Sequence, residues 1–339
     1  MADTVVSARR PVSAPLAWRG DAFGPRQGWE FALTPAHLDE IDRAVTVMSL
    51  RGLALSDIGR ADFPLPVLGP DLAAMDQVLR AGRGFVLIKG IDVTRYPEDT
   101  LRQIFMGIGA HLGVSVSQSH RGDYLGDVFD RREPGNERPY RRGGLISMHR
   151  DPPDVVGLFC LRNAKTGGLS RIASSATVWN TFLAERPDLL EPLVQGLPFY
   201  RPAADRGDSP ALSPRLPVFT TDADGQLHCN FIPELIRSGA QQNGGTLDAR
   251  VAEALSFFEG VTARDGVYLD MEFQPGDMQF LNDRTIIHGR TDYEDWPEPE
   301  RRRHLFRLWL MCPHWPAPSA RVTVFDNTDR AGGGIAKAA

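Results

Sequence analysis

The sequence predicts an α+β chain built on a sheet sandwich or barrel, with helices ahead of the strands and a helical insert between two strand-dense stretches. Short apolar runs bounded by Gly and Pro cluster at 145–174 and again at 267–311. Their shortness and their β-branched and aromatic content read as buried strands. Helical spacing dominates elsewhere, and helices precede both strand-dense stretches. No internal repeat and no clear linker divides the chain, so one domain is expected although 339 residues is long for one.

Residues 1–30 are rich in Pro, Gly and Arg with little periodicity, and are expected to form a flexible extension. From Asp71, DLAAMDQVLRAGRG predicts an amphipathic helix stopped by glycine. GFVLIKGI (84–91) predicts a buried strand, and PEDTLRQIFMGIGAHLG (97–113) a helix opening on Pro and two acids. The polar stretch 120–143 reads as a long loop. LISMH (145–149), VVGLFCL (155–161) and SRIAS (170–174) are the first strands. Ala176 to Gly196 is helical, a Pro-rich insert covers 197–220, and TLDARVAEALSFFEG (246–260) is a helix capped by Thr246 or Asp248. VYLDMEF, MQFLN, TIIHG and HLFRLWLM then return to strands, with the domain spanning 31–325 and a frayed tail over 326–339.

Composition narrows the function. Hydrophobic residues are 42% and charged residues 24%, as in a soluble globular protein. A net charge of −5 provides no basic field for nucleic acid. No stretch approaches the ~18 apolar residues of a membrane span, and the N-terminus lacks the apolar core of a signal peptide, so a cytoplasmic location is expected. Cys160, Cys229 and Cys312 are odd in number and far apart, which fits reduced thiols rather than disulfides or a zinc ribbon. There is no G-x-S-x-G and no phosphate-binding G-x-x-x-x-G-K-[ST].

The chemistry concentrates in His149-Arg150-Asp151 at the end of an apolar run. Side chains two apart on a strand share a face, so an imidazole and a carboxylate can reach one metal. His288 ends another apolar run 139 residues later. Two histidines and a carboxylate on one face of an octahedral ion leave three positions open, which suits Fe(II), a chelating cosubstrate and O2. Arg303 follows His288 by fifteen residues and Arg307 by four more, and on a strand positions 303, 305 and 307 share a face. Two guanidiniums on a buried face need anions, and a dicarboxylate supplies them. His111, His120, His228 and His304 lack ligand spacing.

PGDMQFLNDRTIIHGRTDYED followed by RHLFRLWL resembles the C-terminal signature of the TauD/TfdA-type 2-oxoglutarate dioxygenases, of the clavaminate synthase-like superfamily. HRDPPDVVGLFCLRNAKTGGLSRIASS resembles the earlier part of that pattern, and the likeness spans roughly 80–312. The resemblance implies a double-stranded β-helix (jelly-roll) core. It implies Fe(II) on His149, Asp151 and His288. Arg303 would pair with the distal carboxylate of 2-oxoglutarate, and Ser170, after Gly167-Gly168, would hydrogen-bond it. Arg307 would meet the C1 end of the cosubstrate or an anionic group of the substrate. It further implies oxidation of a substrate C–H bond with release of succinate and CO2, and often dimers or tetramers. The sequence departs from the pattern twice: Leu281-Asn282-Asp283-Arg284 stands where an aromatic residue and Asp-Asn-Arg are usual, and Ser170 stands for the usual Thr. Asp151 itself argues for hydroxylation, since related halogenases carry a small residue there.

The loop 120–143, with Arg121, Asp123, Tyr124, Asp127, Arg141 and Arg142, is the expected lid. Its mixed charge suits a small polar or zwitterionic substrate, with Gln118 and Tyr124 as lining candidates. Two other readings stay open from sequence. A jelly-roll module that binds a metal or small ligand would show no turnover, and a cupin-type isomerase or hydrolase would act without O2 and without need of Arg303.

Overall fold

The computed structural model of the chain describes residues 9–24, 28–130 and 144–338. Two sheets form its centre. The larger has seven strands, with Glu30–Ala32, Phe85–Lys89, Met278–Asn282, Val155–Arg162, His304–Met311 and Val114–Ser115 in that order, and Leu125–Val128 also paired to His304–Met311. All pairs are antiparallel except the first. The smaller sheet orders Leu269–Met271, Ser170–Ser174, Ile286–Arg290 and Ile146–His149, all antiparallel. The two do not close into a barrel. They form the double-stranded β-helix core that the sequence implies.

The large sheet is covered on both faces, which is why its strands read as continuous apolar runs rather than alternating ones. Val156, Cys160, Leu281, Leu305 and Trp309 join Ile172, Ile286 and Ile287 of the small sheet in one core. Val155, Phe159, Leu161, Phe280, Phe306, Leu308 and Leu310 point the other way, onto Ile41, Met48, Leu72, Leu79, Ile104, Phe105 and Ile108 of three helices. Successive residues of His304–Met311 therefore belong alternately to the helix layer and to the inter-sheet space.

Those helices are Pro35–Arg51, Gly69–Ala81 and Glu98–Gly109. The first has no counterpart in the sequence reading. Its start is a capping box in which Thr34 Oγ1 accepts from the His37 amide, while His37 Nδ1 accepts from the Thr34 amide, and Gly52 ends it in the left-handed region at φ 62°. A histidine filling the usual Glu or Gln role hides the motif. The expected helix over 176–196 is two, Ser175–Glu185 and Leu190–Gln195, broken at Arg186-Pro187. Ala249–Thr262 is capped by Asp248, and Pro233–Gln242 is a further helix within the insert.

The described parts of both terminal segments pack onto the rest of the chain. Trp18 is 7% exposed and packs edge-on against Phe23 and Phe85, its Nε1 donating to the Arg83 carbonyl. Trp179 Nε1 donates to the Arg10 carbonyl, and Asn180 exchanges two hydrogen bonds with the Val12 backbone. Residues 10–18 thus fasten onto the small sheet and its following helix. At the other end Ile335 is 1% exposed, its amide donating to the Ser117 carbonyl, and the Ala338 amide donates to the His120 carbonyl. Backbone donors and a few apolar side chains hold both segments, a signal that periodicity does not carry. The three cysteines are unpaired and buried, and burial pushes the Cys160 thiol up to about 12. Among the described residues no helix is long and apolar enough to cross a membrane.

Candidate active site

His149 and His288 are directly opposed across the Ile146–His149 and Ile286–Arg290 ladder. Their rings lie 4.6 Å apart, centroid to centroid. Past the strand end the chain turns at Pro152-Pro153, and Arg150 fixes that turn: its buried guanidinium donates to the carbonyls of Asp151, Pro152 and Pro153. With Arg150 turned away, Asp151 faces the histidines, Oδ1 3.6 Å from His149 Nε2. One donor atom from each of His149, Asp151 and His288 lies within 4.8 Å of the others.

The remaining polar atom of each residue is held from behind, the arrangement that orients metal ligands. His149 Nδ1 faces the Ser147 carbonyl at 2.8 Å; a carbonyl only accepts, so this nitrogen carries the proton and Nε2 keeps its lone pair for the cluster. Asp151 Oδ2 accepts from Arg307 Nη1 at 3.1 Å and from Trp309 Nε1 at 2.9 Å, leaving Oδ1 for the cluster. Burial alone would raise the Asp151 carboxyl, but Arg307, with His149 and His288, holds it well below the usual carboxylate range. His288 Nδ1 is 2.9 Å from Asp283 Oδ1, a close ion-pair contact approached off the ring's N–H axis.

Arg303 lies on the same inter-sheet face, 5% exposed. Its guanidinium passes against the Gly168 backbone, where a Cβ would sit 3.1 Å from Arg303 Nε. Gly168 also takes φ +69°, so the Gly-Gly pair both makes the turn and leaves room for the arginine. Arg303 Nη1 is buried with no hydrogen-bond partner among the described residues. Burial, then the charge of Arg290, pull this guanidinium down to about 10. The Tyr293 ring lies between the two, 5.5 Å from the Arg303 carbon and 4.7 Å from that of Arg290.

These groups open on a cavity of ≈ 260 Å³ lined by the triad, by Ser170, Arg290, Arg303 and Arg307, and also by Asp205, Ile232, Glu234, Phe325 and Ile335. Ser170 is in place, but its hydroxyl donates to Gln279 Oε1 at 3.0 Å. Arg307 lines the cavity while paired to Asp151. The expected lining residues Gln118 and Tyr124 are not part of this wall. Gln118 Oε1 accepts from Arg307 Nε, and its amide donates to the carbonyls of Tyr124 and Arg307. The Tyr124 hydroxyl donates to Asp329 of the C-terminal segment. Within the expected lid, residues 120–124 are fastened by these bonds, Leu125–Val128 is a strand, and residues 131–143 lie outside the described residues. Arg141 and Arg142 fall outside the described residues. Sequence reasoning missed Trp309, Asp205 and Glu234; only the i, i+2 step from Arg307 pointed to Trp309. A second donor cluster, Glu98, Asp127 and His304, is filled by Arg102, which donates to both carboxylates, and Arg162 donates to His304 Nδ1.

The donor set suits the implied metal and cosubstrate: two imidazoles and one carboxylate converge, each braced, beside a buried cation with no anion among the described residues. Together with the sheet pair this defines a non-haem Fe(II), 2-oxoglutarate-dependent oxygenase. The model of the Taurine catabolism dioxygenase TauD, TfdA family matches residues 49–309, and the chain belongs to that family. It is 30% identical over 315 residues to FR-33289 synthase of Streptomyces rubellomurinus, covering 89% of this chain and 91% of that protein. It is 29% identical to the taurine hydroxylase-like protein SAT17 of Stachybotrys chartarum, covering 87% and 78%. Among solved structures, asparagine oxygenase with Fe(II), 3-hydroxyasparagine and succinate superposes with a TM-score of 0.66 at 17% identity, covering 84% of this chain and 93% of that one. The non-heme iron oxygenase OrfP with Fe and alpha-ketoglutaric acid gives 0.63 at 15%, covering 83% and 94%.

Proposed function

We propose that the chain hydroxylates a C–H bond of a small zwitterionic substrate, an amino acid or a related amine-bearing acid, with Fe(II) held by His149, Asp151 and His288. The observation that carries the reading is Arg303: a buried guanidinium with no ion-pair partner among the described residues, opening on the same cavity as the triad. An isolated buried cation is costly, and the distal carboxylate of 2-oxoglutarate supplies its partner with bidentate geometry. The iron supplies O2 activation coupled to cosubstrate decarboxylation when bound. The chain's own groups orient the rest. Arg307 and Trp309 fix Asp151, Arg303 anchors the cosubstrate, and apolar Ile232, Phe325 and Ile335 exclude water.

The substrate class rests on the charge layout of the cavity. Arg290, Arg303 and Arg307 line the cavity together with Glu234 and with Asp205, which is paired to His120. A molecule with both an acid and an amine matches that layout. Structures of the same fold hold hydroxylated asparagine and hydroxylated arginine. The test is an anaerobic titration with Fe(II) and 2-oxoglutarate: a weak visible charge-transfer band should appear and amino-acid substrates should shift it. A chain that binds one iron yet shows no band with 2-oxoglutarate refutes the cosubstrate assignment. Glu234→Gln should raise the substrate KM and leave that of 2-oxoglutarate unchanged; equal effects on both would refute the substrate-side placement.

A further inference from the structure

We infer that Asp283 is the positioning residue that locks the two halves of the metal site to each other; the inference rests on the proposed triad. The two halves come from distant parts of the chain, His149 and Asp151 from one strand end and its turn, His288 from another strand. Asp283 is wholly buried, in the tight connection between Met278–Asn282 and Ile286–Arg290. Its Oδ2 accepts from the Asp151 amide at 3.0 Å, and its Oδ1 lies 2.9 Å from His288 Nδ1. One side chain therefore touches both halves, the backbone of one ligand and the ring of another.

The Asp151 amide donates to one of its oxygens, and the His288 ring nitrogen lies against the other, off the axis of its N–H. An asparagine keeps a single acceptor oxygen; with that oxygen on the Asp151 amide, its NH2 would stand against the His288 nitrogen in a wholly buried site. The neighbouring cations do not compete for these oxygens. The Arg284 guanidinium is taken up by Asp154 and the Pro316 carbonyl, and that of Arg150 by three carbonyls. Among the described residues His288 is the sole ion-pair contact of Asp283. Asn282 meanwhile takes a different job, its Nδ2 donating to the Leu79 carbonyl and its Oδ1 accepting from the Arg284 amide.

A carboxylate behind a ligating imidazole fixes its tautomer and raises its basicity, and losing such a partner weakens metal binding by about 10–100-fold. The experiment is an anaerobic Co(II) titration of the full chain, followed by the cobalt absorption bands, on wild type, Asp283→Asn and Asn282→Ala. Asp283→Asn should weaken Co(II) about 10–100-fold with altered band positions, while Asn282→Ala, which removes a structural contact next door, should lower the melting temperature and leave Co(II) affinity within about twofold. Equal Co(II) affinity and spectra in wild type and Asp283→Asn overturn the inference. Failure of wild type to bind Co(II) at one ion per chain overturns the triad itself, a different result. If Asp283→Asn does not fold, the zinc-loaded wild type decides: the His288 Nδ1 proton should resonate well downfield of the His149 Nδ1 proton, whose partner is a carbonyl, and coincident shifts overturn the proposal.

Discussion

Replacing Arg303 by methionine should weaken the cosubstrate and strengthen the ligand-free fold, a pair of opposite signs that few substitutions share. In the ligand-free chain the guanidinium is buried and titrates at about 10 against an ordinary 12.5, a displacement worth about 3 kcal/mol. The folded chain holds this proton less tightly than the unfolded chain. The penalty is therefore complete at neutral pH and is relieved only as pH rises through about 10 toward 12.5. Methionine keeps the unbranched stem and removes the charge, so the ligand-free protein should gain about 1–3 kcal/mol. At about 2.1 cal/mol/K per residue, 339 residues give about 1.4 °C per kcal/mol, hence a rise of about 1–4 °C in Tm. Cosubstrate binding moves the other way. Losing one partner of a buried ion pair costs about 3–5 kcal/mol, or about 10²–10³-fold in Kd. The assay is an anaerobic thermal scan of Fe(II)-loaded protein with and without 2-oxoglutarate at a hundred times the wild-type Kd. Wild type should gain about 2.7 kcal/mol, or about 4 °C, and the variant less than 1 °C. A full ligand-induced shift in Arg303→Met refutes the assignment. A ligand-free Tm several degrees below wild type refutes the claim that the cation is unpaired.

His288→Ala should abolish stoichiometric iron binding by metal analysis while retaining the fold by circular dichroism; full iron occupancy would sink the triad. Trp18→Ala should cost about 3–5 kcal/mol, or about 4–7 °C in Tm, because the indole is buried between Phe23 and Phe85. An unchanged Tm would show that the N-terminal segment is not part of the core.

The parts of the site that rest on strand periodicity were legible in the sequence. His149, His288 and Arg307 lie on strands that the apolar runs predict, whereas Asp151 and Arg303 stand one or two residues outside the strands Ile146–His149 and His304–Met311. What was hidden depends on contacts between segments that no local pattern links. Gln118 and Tyr124 sit in a polar loop before the first histidine, which suggests a lid. Nothing local reveals that the C-terminal segment docks there, Asp329 accepting from Tyr124 and Ser117 and Ile335 donating to Ser117, while Gln118 turns to Arg307. Asp283 stood in view as a departure from a familiar motif, yet its meaning needed two distances. The helix Pro35–Arg51 went unread although Thr34-Pro35 marks its start, because His37 stands where a capping box usually carries Glu or Gln.

The alternation along His304–Met311 bears on how such a chain can change. Arg307 and Trp309 serve the triad, and their neighbours Phe306, Leu308 and Leu310 are locked among helices, so inserting or deleting one residue here would exchange chemistry for grease and destroy both layers at once. Asp205, Ile232, Glu234, Phe325 and Ile335, by contrast, come from loops, a short helix and the C-terminal segment. They can be lengthened, shortened or replaced one at a time with the strand registers untouched. A lineage of this design can therefore exchange what it oxidises by small steps, while how it oxidises stays fixed.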